Sequence, residues 1–259
     1  MLREIEDSNG DSSTNNKVAI WGLSGAGFAI RSGDEVIYID PWLVPPDPSR
    51  ITHRCFPVPF SPQSVQRASA VLSTHEHEDH CNVATLIGLN KGSRAVLIGP
   101  STVIIKATQG GFPDSSTRLV RPGDSLQISS EFRLDVFKAE DPYERSAVMY
   151  LIRTPRASIF HSGDSSYFEE FKKIGDAHSV DVALLNYGKQ IPTPEKPYYM
   201  SAEKLAQAAR DLRARIVVPM HWNLWVETRE DPNRIESVLG KVSPESVLRV
   251  IDGGQKLEL

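Results

Sequence analysis

Apolar residues recur along this chain in short runs broken by turn-forming residues, and most runs are long enough for strands but not for helices. The first covers residues 17–21 and is followed by Gly22, Gly25 and Gly27. Residues 28–30 and 35–39 are predicted as strands around the turn Ser32-Gly33-Asp34. The proline-rich stretch 45–62 reads as a surface loop, and Ser61-Pro62 at its end has the form of a helix start. A buried strand over 70–72, a helix over 82–89, a strand over 95–98 and a helix over 101–109 follow, the last closed by Gly110-Gly111. After a turn at Arg121-Pro122-Gly123-Asp124, strands are predicted over 126–128, 132–137, 148–153 and 158–161. Beyond these come a helix over 166–174 and a buried strand over 180–185. Met200-Ser201 opens an amphipathic helix with Ala202, Leu205, Ala209 and Leu212 on one face. A strand over 216–218, a helix over 234–239 and a closing strand over 247–251 complete the pattern.

Each half thus runs through a strand meander and then through strand–helix units. That order predicts an α+β fold in which two sheets pack face to face with helices outside, a four-layer αββα sandwich. No linker divides it, so 17–259 reads as one domain behind a flexible, polar lead-in over 1–16.

Composition narrows the partners. The chain is 40% hydrophobic and 24% charged with a formal net charge of -4, ordinary values for a globular protein and the wrong sign for gripping phosphate backbones. A small-molecule substrate is expected and nucleic acid is not; self-association into a homo-oligomer stays open. No apolar run approaches the roughly 20 residues of a membrane span, and the N-terminus lacks the apolar core of a signal peptide. Two cysteines, Cys55 and Cys81, make no disulfide framework. A cytoplasmic setting is the expectation.

The candidate chemistry lies at strand ends. The chain has seven histidines, and His75, His77 and His80 share one loop with Asp79. His75 and His77 are two apart, so an extended segment points both rings the same way. Asp164 follows the strand over 158–161, and His221 follows that over 216–218. Imidazole nitrogens and carboxylate oxygens suit Zn²⁺, Mn²⁺ or Fe²⁺. Such a cation lowers the pKa of bound water to about 7.

The run His75-Glu76-His77-Glu78-Asp79-His80 matches the His-x-His-x-Asp-His signature of the metallo-β-lactamase superfamily, and the chain resembles that family. Asp40-Pro41-Trp42 resembles its first motif. Phe160-His161-Ser162-Gly163-Asp164-Ser165, Asn186-Tyr187-Gly188 and Pro219-Met220-His221-Trp222-Asn223 are similar to its L-ascorbate-6-phosphate lactonase branch. The resemblance implies the metallo-β-lactamase fold and one or two divalent metal ions, Zn²⁺ or Mn²⁺. It implies His75 and His77 at a first metal position, Asp79, His80 and His221 at a second, and Asp164 between them. Asp79 is then the catalytic proton acceptor or water-orienting group, and Asp40 orients a ligating histidine. The superfamily usually supplies a further histidine before the bridging aspartate, yet residues 81–160 contain none. Glu140 or Asp141 is the candidate replacement, directly or through water.

Around this centre, His161, Tyr187, Lys189, Lys196 and Trp222 are candidates for the substrate pocket, with core or solvated roles as the alternative. The resemblance implies hydrolysis of a lactone or related ester of a small sugar-like metabolite, phosphorylated or not. A phosphodiesterase acting on a small nucleotide or phospholipid head group would use the same centre, since fold does not fix reaction. A metal- or ligand-binding protein without turnover is the third alternative.

Overall fold

In the computed structural model, which describes residues 1–7, 17–45, 53–189, 199–227 and 229–259, both halves follow the same plan. A short helix α1 (Leu2–Glu6) precedes β1 (Val18–Ser24), β2 (Gly27–Ser32) and β3 (Glu35–Ile39), which form an antiparallel meander. Parallel strands then extend the sheet: β4 (Ala70–Leu72), helix α2 (Val83–Ser93), β5 (Val96–Gly99), helix α3 (Ser101–Gln109) and β6 (Thr117–Leu119). The second half opens with β7 (Ser125–Gln127), β8 (Arg133–Lys138), β9 (Val148–Arg153) and β10 (Ser158–His161), again antiparallel. It continues in parallel through α4 (Glu170–Ala177), β11 (Val182–Asn186), α5 (Ala202–Leu212), β12 (Ile216–Met220), α6 (Asn233–Val242) and β13 (Val247–Leu248). Finally β14 (Lys256–Glu258) returns to pair with β1, giving two seven-stranded sheets.

Three apolar layers explain why the strands read as continuous hydrophobic runs. Val18 and Ile20 of β1 and Val182 and Leu184 of β11 enter the core between the sheets. The alternate residues Ala19, Trp21 and Leu23 pack under α1, α2 and α3. Ala183 and Leu185 pack under α4, α5 and α6. A strand covered on both faces has no polar alternation to show. The architecture is the expected αββα sandwich.

Several local expectations are corrected. Residues 2–6, expected within a flexible lead-in, form α1: Ile5 is fully buried, and Arg31 donates from Nη1 to the carbonyls of Glu4 at 2.8 Å and Asp7 at 2.9 Å. Residues 8–16 lie outside the described residues. Ser61-Pro62 starts only a single 3-10 turn, Pro62–Ser64, because no helical periodicity follows it. The helix expected from 166 begins at Glu170, because the amide of Ser166 donates to the Glu140 carbonyl at 2.9 Å and holds the chain extended. The closing strand shrinks to Val247–Leu248. No helix among the described residues is long and apolar enough to cross a membrane.

Candidate metal centre

Four strands end at one rim: β3 at Asp40, β4 before the loop 73–80, β10 before Asp164 and β12 at His221. The backbone is strained there. Asp40 and His221 both take left-handed φ angles, 44° and 72°, which side-chain-bearing residues rarely adopt. At His221 the turn is secured by its amide, which donates to the Gly25 carbonyl at 2.9 Å.

Asp40 organises the loop from beneath. It is completely buried; Oδ1 accepts from the Thr74 amide at 2.8 Å and Oδ2 from the Thr74 hydroxyl at 2.7 Å. Oδ2 also lies 2.7 Å from His80 Nδ1. A proton on that nitrogen leaves Nε2 to present a lone pair to the rim. His80 Nε2 stands 3.3 Å from His221 Nε2 and 3.3 Å from Asp164 Oδ2. Asp79 Oδ2 lies 3.6 Å from His80 Nε2 and 3.1 Å from His221 Nε2. Atoms bound tetrahedrally to zinc at about 2.0–2.1 Å are spaced by about 3.3 Å, so this spacing fits a shared cation. Beside this group, His75 Nε2 is 3.0 Å from His77 Nδ1, and these two gather with Asp164 into a second set of converging ligand atoms.

An unmet polar atom points the same way. Asp164 Oδ1 is buried without a hydrogen-bond partner among the described residues. Buried polar groups are nearly always paired, so an orphaned carboxylate oxygen among imidazoles is what a bridging metal ligand requires. Burial alone would raise the pKa values of Asp79 and Asp164, but the facing His80 and His221 hold both carboxyls well below the usual range. Conversely, burial would lower His80 and His221, and the surrounding carboxylates raise both. His75 differs: burial and the charge of His80 push it down to about 3, so its ring is neutral at any ordinary pH. The donor set fits a divalent cation.

Residues 36–222 match the family model described as Beta-lactamase superfamily domain. The chain belongs to this superfamily. It is 28% identical over 237 residues to a metal-dependent hydrolase of Pyrobaculum arsenaticum, covering 90% of this chain and 96% of the relative. It is 33% identical over 202 residues to a probable L-ascorbate-6-phosphate lactonase of Escherichia coli, covering 70% of this chain but only 56% of that protein. Among solved structures, Igni18, a metallo hydrolase from Ignicoccus hospitalis, superposes with a TM-score of 0.75 at 23% identity, covering 94% of this chain and 98% of its own. That last likeness concerns the fold.

The six residues that the sequence resemblance singled out meet in space as two candidate groups, His75, His77 and Asp164 in one and Asp79, His80 and His221 in the other. The two acidic candidates for the missing histidine both lie outside the two ligand groups, but their surroundings differ. The carboxylate of Glu140 lies 3.9 Å from Lys138 Nζ. Asp141 is buried; Oδ1 accepts from the amides of Tyr143 at 2.8 Å and Glu144 at 3.1 Å, while Oδ2 is buried without a partner among the described residues. Burial raises its pKa, and the charges it feels include those of Asp164 and His77.

The pocket candidates fare differently. His161 is fully buried: Nδ1 accepts from the Gly163 amide at 3.1 Å and Nε2 lies 2.9 Å from the Ala26 carbonyl. Both ring nitrogens are occupied in shaping the turn to Asp164, surroundings that the structural alternative describes. Tyr187 packs in the layer under the helices, and its hydroxyl donates to the Asp231 carbonyl at 3.2 Å. Trp222 packs in the same layer, with the Arg229 guanidinium over its ring. For both, the core alternative describes their surroundings. Lys189 is exposed, and Lys196 lies outside the described residues.

Two residues at the rim escaped the sequence reading. The ring of Tyr199 lies 4.8 Å from that of His221. Arg54, in the loop assigned only to the surface, stacks on Trp42. Trp42 lies two residues after Asp40 and Trp225 four after His221; the two indoles meet edge to face at 5.3 Å, a pairing that marked Arg54's neighbourhood only after folding.

Proposed function

We propose that this member of the superfamily is a metal-dependent hydrolase that opens a lactone or related ester of a small sugar-like metabolite. The observation that carries the reading is the convergence of six side chains in two adjoining groups, with Asp164 Oδ2 facing His80 and His221 and its Oδ1 buried and unpaired among the described residues. The lactonase-like motifs of the second half, around Asp164, Tyr187 and His221, support the ester over other bonds.

His75, His77 and Asp164 would hold the first position, with Asp141 Oδ2 the candidate to complete it directly or through water; Asp79, His80 and His221 would hold the second. Each position offers two imidazoles and a carboxylate, a set that suits Zn²⁺, and the added carboxylate of Asp141 would ease occupation of the first by Mn²⁺. When bound, the metal lowers the pKa of water to about 7 and polarises a carbonyl. The side chains do the rest. Asp79, kept ionised by His80 and His221, orients the attacking water and takes its proton. Asp40 keeps His80 in the tautomer that presents Nε2. Asp164 faces both groups and fixes their separation.

The test is a panel of lactones and esters beside phosphodiesters, assayed on protein reloaded with Zn²⁺ or Mn²⁺. Turnover of a lactone, abolished by chelation and by Asp164→Ala, is expected. Turnover of phosphodiesters alone would replace this reading with a phosphodiesterase. Metabolite binding without any turnover would replace it with a binding protein.

A further inference from the structure

Arg54 has a half-finished set of hydrogen bonds beside the metal centre. Its Nη1 donates to the carbonyls of Trp42 at 3.1 Å and Val44 at 3.2 Å. Its guanidinium lies 4.7 Å from the centre of the Trp42 ring. The backbone of Arg54 bridges that of Trp225, so two segments leading from Asp40 and His221 clamp it. These contacts fix the plane of the guanidinium. The opposite edge, Nε and Nη2, is buried and has no hydrogen-bond partner among the described residues.

Such an edge is costly to leave unmet, because a guanidinium carries five donors and a charge. Burial lowers the pKa of Arg54, and the carboxylate of Asp79 is the charge that acts against this. Asp79 is also a candidate ligand of the second metal position, and the segments that hold Arg54, at Trp42 and Trp225, lead from Asp40 and His221 at the same rim. No ion pair joins the two side chains among the described residues. Nε and Nη2 present two parallel N–H bonds, the geometry that matches two oxygens of one carboxylate or phosphate group. Packing against Trp42 needs none of this edge.

We propose that Arg54 recognises the substrate, taking a carboxylate or phosphate oxygen pair through Nε and Nη2 beside the metal ligands. The substrate class is then a small anionic ester, anchored by its charged group while the ester bond lies at the metal rim. This rests on the hydrolase reading for what the bound molecule undergoes, but not for the binding itself. An isolated arginine in a proline-rich loop carries no sequence pattern that would have marked it.

The experiment uses the full chain reloaded with metal and titrates it calorimetrically with inorganic phosphate and, separately, with acetate. Arg54→Met should weaken at least one of them by about tenfold or more, since two charge-assisted hydrogen bonds are lost. Arg54→Lys keeps the charge and most of the packing but not the paired donors, and should weaken the same anion by about threefold or more. Which anion suffers more tells phosphate from carboxylate. Metal content should stay at the wild-type level in both variants. Affinities for both anions within twofold of wild type, or a loss of metal in Arg54→Lys, would overturn the proposal. If Arg54→Met does not fold, Arg54→Lys decides. Failure of the wild type to turn over any ester would count against the hydrolase reading alone, since the anion titrations stand independently of it.

Discussion

Asp40 carries a charge in a place that gives it no water. Three hydrogen bonds, from the Thr74 amide, the Thr74 hydroxyl and His80, replace hydration. Burial would raise its carboxyl, but the charge and hydrogen bond of His80, with the nearby His161 and His75, hold it below the usual range. The same electrostatics predict how metal binding depends on pH. In the metal-free protein the carboxylates raise His80 and His221 above their ordinary value of 6.5, so both retain protons into the neutral range. A ligating Nε2 must be free of a proton, so binding releases protons and affinity rises with pH through neutrality. Calorimetry in two buffers of different ionisation enthalpy should detect this release. Asp40→Asn should weaken binding by about 10–100-fold by freeing the His80 ring. A pH-independent affinity, or an unchanged one in Asp40→Asn, would contradict the assignment. The ligand histidines were legible because three crowd one loop. Asp141 and Glu140 were not separable in sequence, being adjacent acids; only the turn that ties Asp141 Oδ1 to two amides leaves its other oxygen buried and unpaired among the described residues.

At the scale of elements, legibility followed burial. β3 and α3 match their predicted limits, because strands covered on both faces and helices with one apolar stripe carry their pattern in their own residues. α5 adds a cap, with Ser201 accepting from the Lys204 amide at 3.3 Å. β6 and β14 were missed because they are short, polar edge strands whose place is set by a partner: Lys256 of β14 pairs with Glu4 of α1 at 2.8 Å. One glycine fixes the approach of two helices beneath the second sheet. A Cβ on Gly175 of α4 would lie 2.0 Å from the Asp211 carbonyl oxygen of α5. Gly175→Ala should therefore push the helices apart and cost about 1–3 kcal/mol. Urea denaturation of the metal-free protein measures it, and an unchanged midpoint would refute the close packing.

For the molecule as a whole, the echo between the halves explains where the site lies. Each meander hands its last strand to a parallel set, and the ends of β3 and β10 deliver Asp40 and Asp164 to the same rim. The candidate ligands come from both sheets, so a bound cation would tie the two halves together and stabilise the folded chain by mass action. The sandwich was legible from the order of strands and helices; the meeting of loops about 140 residues apart in sequence, His80 with His221, was legible only through the family motif. The decisive measurement is metal per chain, by elemental analysis, after equilibration with excess Zn²⁺ or Mn²⁺ and removal of free ion. Two equivalents are predicted for the wild type and one each for His75→Ala, Asp141→Ala and His221→Ala. A wild-type chain that retains no metal, or variants that retain as much as it does, would contradict the account.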